Sequence, residues 1–297
     1  MPAHPDSNLY PEATGLAKTL VDKHRTQQPL KLYAGWFCPY TDSVCHRLIH
    51  RKETNKQVQR VWLALEEKGI PYEYIEVNPY NKPDSLLTLN PRGLVPTLST
   101  PADPHPRPLY ESTVILEYLE EAYPDHQPRL LPEDVYERAR ARIWIDYVTS
   151  RIIPSFHRFL QYQPDESGED ANAGWDRARR ELLSHLKAWT KEMHENGPFF
   201  LGEGIGLPDL VLAPWAVRLW VFDEFKGGLR IPGEGEGGPD EEIWRRWRTW
   251  LAAVGSRRSV QETTSEIEHY LPIYKRYADN TAQSELAKAT RANRGVP

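Results

Sequence analysis

Residues 31–40 read KLYAGWFCPY, and the order of residue types in this stretch decides the fold. Leu32, Tyr33 and Ala34 form a short alternating run that reads as a strand, and Gly35, Trp36 and Phe37 bend the chain away from it. A cysteine then stands directly before a proline. Pro39 has no N–H and a fixed φ, which suits the first turn of a helix, so Cys38 falls at or beside the N-cap. Unpaired backbone N–H groups and the positive end of the helix dipole favour an anion at that position. A thiol placed there loses its proton more readily, and the thiolate is the reactive form. Read alone, Cys38 is equally a small hydrophobe of a kind commonly buried; the remainder of the chain has to decide.

Working outward, residues 58–70 (VQRVWLALEEKGI) predict a helix with Val58, Val61, Trp62 and Leu65 on one side, ended by Lys68 and Gly69. YEYIEV (72–77) alternates as a second strand, and DSLLTLN follows as a short helix. GLVPTLST (93–100) is a strand broken by Pro96, which belongs on an edge, in a bulge or behind a cis bond. PLYE is a fourth strand and ESTVILEYLEEAYP (111–124) a helix. Residues 30–123 thus read β-α-β-α-β-β-α, the last two strands antiparallel. Residues 1–29, polar and proline-containing, read as an extended N-terminal arm, and residues 124–134 as a proline-rich linker. A helical domain follows over 135–276. It begins with a long helix or kinked pair (135–163) that buries Trp144, Tyr147, Ile152 and Phe156 and bends at Pro154. The helix beginning at Asp209 is apolar nearly all round and forms the core, and the last two helices read as 240–254 and 257–276. Residues 277–297 read as a flexible tail. The fold class is α/β plus all-α.

The bulk numbers narrow the function. With 297 residues, 39% hydrophobic content and ten tryptophans, the chain can build two sizeable cores. A net charge of −5 gives no reason to expect nucleic acid or an anionic membrane as partner. No apolar run approaches the ~18 residues of a membrane span, and residues 1–15 lack a secretory pattern. Cys38 and Cys45 are the only cysteines, too few for a disulfide framework, and they form no Cys-x-x-Cys metal pair. His46 and His50 beside Cys45 make a half-site without a further ligand, so no metal is expected. A cytoplasmic, reducing location fits these features.

Cys-Pro-Tyr at 38–40, VQRVWLALEEKGIPYEYIEV, NPRGLVPTL and YESTVILEYL occur in an order that resembles a fungal, cysteine-type glutathione transferase of the omega class, over residues 30 to 275. The resemblance implies an N-terminal thioredoxin-like domain that binds glutathione, a helical C-terminal substrate domain, a homodimer and a detoxification role. It implies Cys38 as the catalytic residue, with Pro39 and Tyr40 at the helix start. Glu111 and Ser112 match the two charged ends of the γ-glutamyl group: the carboxylate of Glu111 can pair with an ammonium, and the hydroxyl and N–H groups at Ser112 can hold a carboxylate. Read alone they are also an ordinary capping pair. The Val95-Pro96 dipeptide would pair with the cysteinyl part of glutathione as an added strand does, and Lys82 would approach its glycine end. Trp250 aligns with the tryptophan flanking the omega second-substrate pocket, or else is a core residue of an amphipathic helix. Asp209 stands at N3 behind a cap at Gly206 that brings no side-chain acceptor, half of a capping box.

One departure falls at the catalytic helix. The family runs Cys-Pro-aromatic straight into Val-Gln-Arg, whereas here residues 41–57 intervene. They form a separate helix with Val44, Cys45, Leu48 and Ile49 on its apolar side, or a protruding loop, or the product of a retained intron. Cys45, on a continuous helix, lies ~10 Å from Cys38, too far for a disulfide; in a loop it can act as a resolving thiol. The activity this implies is monothiol, glutathione-dependent thiol transfer, dehydroascorbate reduction included, on a small disulfide. The alternatives are conjugation of an electrophile to glutathione, and a non-catalytic glutathione-binding protein should the insertion displace the helix.

Overall fold

The computed structural model describes residues 10–37, 57–78, 80–164 and 171–292. Strands β1 (Lys31–Ala34), β2 (Glu73–Glu76), β3 (Thr97–Thr100) and β4 (Arg107–Tyr110) form one sheet in the order β2-β1-β3-β4. β1 runs parallel to β2 and antiparallel to β3, and β3 is antiparallel to β4. The register aligns Tyr74, Leu32, Leu98 and Leu109 in one row across the sheet, the first three buried. A parallel pair needs a crossover, and α2 (Val58–Lys68) supplies it. Val58, Val61, Trp62 and Leu65 are buried as their spacing predicts, and Gly69 closes the helix in the left-handed conformation at φ 60°. α3 (Asp84–Leu89) leads to β3, and α4 (Ser112–Ala122) follows β4 and packs on α2. This is the expected thioredoxin-like arrangement.

Beyond it lie helices α5 (Val135–Tyr147), α6 (Ile153–Gln161), α7 (Ala171–Lys191), α8 (Leu207–Ala216), α9 (Trp220–Lys226), α10 (Glu241–Gly255), α11 (Arg258–Glu262), α12 (Ile267–Ala278) and α13 (Glu285–Arg291). Every residue of α8 is buried, because it packs on α5 and α10 and also on α2 of the sheet domain. Among the described residues no helix is long and apolar enough to cross a membrane.

Several elements differ from the sequence expectation. The residues read as an extended arm contain a helix, α1 (Gly15–Lys23), which buries Ala17, Leu20 and Val21. The arm is held because it satisfies the outer edge of β2: Tyr74 N–H donates to the His24 carbonyl (2.8 Å) and Ala13 N–H to Glu76 Oε1 (2.9 Å). It also reaches the helical domain, where Thr14 N–H donates to Ser265 Oγ and Glu266 N–H to Thr14 Oγ1, both at 3.2 Å. The tail, read as flexible, carries α13 against α6, capped by Ser284 and burying Leu286, Ala287 and Ala289. Residues 257–276 are two helices; the turn between α11 and α12 spends Thr263 and Ser265 on contacts with Gln59 and Thr14. The bend expected at Pro154 is a π-helical turn at Val148–Ile152 just before it, and Trp144 and Tyr147 are only half buried. Pro154 offers no N–H to the turn preceding it, which widens to accommodate the loss.

Candidate functional site

Four chain segments meet at one end of the sheet. β1 and β2 leave it in parallel, so Gly35 and Val77 emerge side by side. A Cβ on Gly35 would lie 2.8 Å from the Phe37 ring and 3.0 Å from the Val77 carbonyl, which only glycine avoids. β3 enters and β4 leaves at the same end. Thr97 sits opposite Tyr110, so Val95-Pro96 just before β3 and Glu111-Ser112 just after β4 lie at this end. The crossover helix α2 must run back along the sheet, so its first turn opens here too. Four of the residues proposed from sequence as glutathione-binding, Val95, Pro96, Glu111 and Ser112, therefore flank the paired ends of β3 and β4.

The local chemistry suits a zwitterionic ligand. Ser112 is the first residue of α4, 1% exposed, and its Oγ has no hydrogen-bond partner. Few buried hydroxyls are left unpaired, and this one stands where the first N–H groups of a helix also lack intrahelical acceptors. Glu111, half buried, holds φ 75° and ψ 110°, a conformation a non-glycine residue adopts only under constraint, and its carboxylate makes no cap bond to the helix it precedes. The Val95–Pro96 bond is cis. Lys82 folds back over Gly93: a Cβ there would meet Lys82 Cδ at 2.8 Å and Nζ at 3.0 Å, and Gly93 has φ 59°. The loop between is braced by two residues the sequence reading passed over. Asn90 Nδ2 donates to Thr97 Oγ1 (3.0 Å), and Thr97 Oγ1 donates to the Leu94 carbonyl (2.6 Å). An asparagine ahead of Pro-Arg-Gly is a turn signal that marks this loop in the sequence.

Cys38, Pro39, Tyr40 and Cys45 lie outside the described residues, as does all of 41–57 except Gln57. Gln57 is the N-cap of α2, fully buried, and accepts a hydrogen bond from Trp215 Nε1 at 3.4 Å. Phe37, the residue before Cys38, is 7% exposed at the sheet end just described.

Trp250 lies in a packed aromatic cluster. It is fully buried, tilted against Trp247 (4.9 Å between ring centroids) and edge-on to Trp189 (5.0 Å), and its Nε1 donates to Asp209 Oδ1 at 2.7 Å. The same carboxylate accepts the N–H of Phe200 (2.9 Å) and of Gly206 (2.8 Å), closing the start of α8 from the N3 side. Burial pushes the Asp209 carboxyl up to about 6 in spite of these donors. Trp250 belongs to that structural cluster, the core alternative for an aromatic on an amphipathic helix.

Comparison with known proteins places this geometry. Residues 57–122 match the family model for the N-terminal domain of glutathione S-transferases, and residues 172–253 that for the C-terminal domain. A probable glutathione S-transferase of Nicotiana tabacum is 32% identical over 206 residues, 69% of this chain and 78% of that protein. The chain belongs to the glutathione S-transferase family. These transferases use glutathione as co-substrate. The crystal structure of glutathione transferase Omega 3C from Trametes versicolor is similar with a TM-score of 0.73 at 37% identity, covering 92% of this chain and 100% of that one. Rice GST1, solved in complex with glutathione, gives a TM-score of 0.63 at 27% identity, covering 84% and 99%.

Proposed function

We propose that this transferase is of the omega type and carries out glutathione-dependent thiol transfer with Cys38 as its nucleophile. The observation that carries the reading is the buried, unpartnered hydroxyl of Ser112 at the start of α4, at the end of the sheet where β3 begins. Ser112 and the N–H groups beside it hold the γ-glutamyl carboxylate, Glu111 pairs with the ammonium, Val95 takes the backbone of the cysteinyl residue, and Lys82 meets the glycine carboxylate. In the sequence Cys38 directly follows Phe37, which lies at this end of the sheet. The Cys38 thiolate attacks the glutathione sulfur of a mixed disulfide; the S–S bond breaks, the substrate thiol leaves, and Cys38 carries the glutathionyl group. A second glutathione thiolate displaces it as oxidised glutathione and restores the Cys38 thiolate. The omega relative in Trametes versicolor supports the class, and a homodimer in the cytoplasm is part of the same reading.

The test is Cys38→Ser assayed with hydroxyethyl disulfide and with chlorodinitrobenzene. Thiol transfer is expected to vanish while retention on immobilised glutathione persists. Thiol transfer intact in Cys38→Ser makes the nucleophile assignment wrong, and conjugation as the sole turnover of the unmodified chain favours a conjugating transferase.

A further inference from the structure

The loop ahead of β3 holds a chain of three hydrogen bonds whose directions are all fixed. Asn90 is 2% exposed and Thr97 fully buried. Asn90 Oδ1 accepts the backbone N–H of Arg92 at 3.2 Å. A backbone N–H can only donate, so this bond decides which end of the amide is oxygen and turns the Asn90 nitrogen towards Thr97. Nδ2 donates to Thr97 Oγ1 at 3.0 Å and occupies a lone pair of that hydroxyl. The single hydroxyl proton goes to the Leu94 carbonyl, 2.6 Å away. In the same turn the Gly93 N–H donates to the Asn90 carbonyl at 2.7 Å, which seats the glycine that Lys82 folds over.

β3 begins at Thr97, so Leu94 and Val95 precede its paired stretch. The Leu94 carbonyl and the Val95 N–H are the two ends of one planar trans peptide unit and point in opposite directions. Holding the carbonyl therefore aims the N–H. For the strand itself a β-branched shape is enough, and valine supplies that shape without a polar group. A buried hydroxyl costs desolvation unless it is bonded, and here its bond is spent on the one carbonyl whose peptide plane ends in the Val95 N–H. We propose that Thr97 is a positioning residue for glutathione. Through the Leu94 carbonyl it aims the Val95 N–H at the cysteinyl carbonyl of the tripeptide, and Asn90 keeps the Thr97 hydroxyl turned the right way. The proposal rests on the reading in which Val95 pairs with the cysteinyl backbone. Its effect falls on glutathione affinity, whichever residue carries out the later thiol chemistry.

The experiment measures the binding of reduced glutathione to the full chain by isothermal titration calorimetry, with Tm recorded for every variant. Thr97→Val keeps the branched shape and removes the hydroxyl, whereas Thr97→Ser keeps the hydroxyl and removes a methyl group. Both are expected to lower Tm, the first because the Asn90 amide and the Leu94 carbonyl lose their partner, the second because a buried methyl is gone. Only Thr97→Val is expected to weaken glutathione, by about tenfold in Kd, while Thr97→Ser stays within about twofold of the parent. Lys226→Met is the control for lost stability alone. Lys226 is buried in the helical domain and donates to the Tyr162 and Ala278 carbonyls at 2.8 and 3.1 Å; its loss is expected to lower Tm and leave Kd in place. Parental affinity in Thr97→Val would overturn the proposal, as would a Kd that follows Tm through Thr97→Ser and Lys226→Met. Weakened binding in Ser112→Ala beside parental binding in Thr97→Val sinks only the role given to Thr97. Parental binding in both sinks the glutathione site at this end of the sheet.

Discussion

Ser112 separates two meanings that a helix-start serine can carry. A capping hydroxyl accepts from its own helix, and its loss costs about 1 kcal/mol. The Ser112 hydroxyl has no partner, so Ser112→Ala removes an unsatisfied buried group. The ligand-free Tm of Ser112→Ala is therefore expected to equal or exceed that of the parent, while the rise in Tm on adding glutathione shrinks. A fall in the ligand-free Tm with an unchanged glutathione shift would return Ser112 to a plain cap. Trp250 predicts the reverse pattern. Trp250→Phe withdraws the indole N–H from the buried Asp209 carboxylate, a bond of a type worth about 1.5–3 kcal/mol. Urea unfolding should register that loss, and KM for the disulfide substrate should not move.

At the scale of elements, the most exposed test of the fold is the pair Lys68–Glu120, which joins the end of α2 to α4. Lys68 Nζ lies 2.7 Å from Glu120 Oε1, with side chains 0% and 4% exposed. The second carboxylate oxygen accepts the N–H groups of Leu130 (3.1 Å) and Leu131 (3.2 Å), and Lys68 also donates to the His126 carbonyl (3.0 Å). Removing one partner leaves a buried charge, so Lys68→Met is expected to cost about 3–5 kcal/mol in denaturant unfolding. Pairing it with Glu120→Gln should recover part of that loss. Elements like α2 and α8 were legible because their burial follows apolar spacing. Others were hidden by the kind of residue that does the packing. α13 packs through Ala287 and Ala289 as well as Leu286, and alanine looks the same on a buried face and on a frayed end. α1 is short and set among prolines, so its three buried apolar positions do not rise above the polar background. Gln59 and Arg60 lie off the apolar stripe of α2, yet they are buried because the helical domain covers them: Arg60 Nε donates to the Val211 carbonyl at 3.0 Å. The loops at the sheet end were legible as motifs; for Trp250 the sequence left a pocket residue and a core residue open, because periodicity finds the buried side of a helix without saying whether a cavity or a core lies there, and the side chain is fully buried among Trp189 and Trp247.

Across the whole molecule, buried titratable groups pull stability in opposite directions with pH. His157 is enclosed by Phe156, Trp215 and Tyr277, and burial lowers its pKa from 6.5 to about 3. Unfolded chains bind that proton first, so the stability His157 permits is complete above 6.5 and is lost as pH falls towards 3. Asp209, raised from 3.8 to about 6, and Glu76, raised from 4.5 to about 7, act the other way, since desolvation makes the fold hold their protons longer. The stability of the parent relative to His157→Gln is thus expected to fall by about 1.4 kcal/mol per pH unit on acidification through that window, read from urea curves at a series of pH values. A difference that stays level from pH 6.5 to 4 would mean that His157 is protonated in the fold.

The latch between Thr14 and residues 265–266 spans 251 positions of chain. During synthesis the first helix leaves the ribosome long before its far partners exist, and domains tend to fold as they emerge. Residues 14–23 therefore have to wait, their last bonds unmade, until residues 265–266 have been translated, and this helix is among the last parts of the described fold to reach its final place.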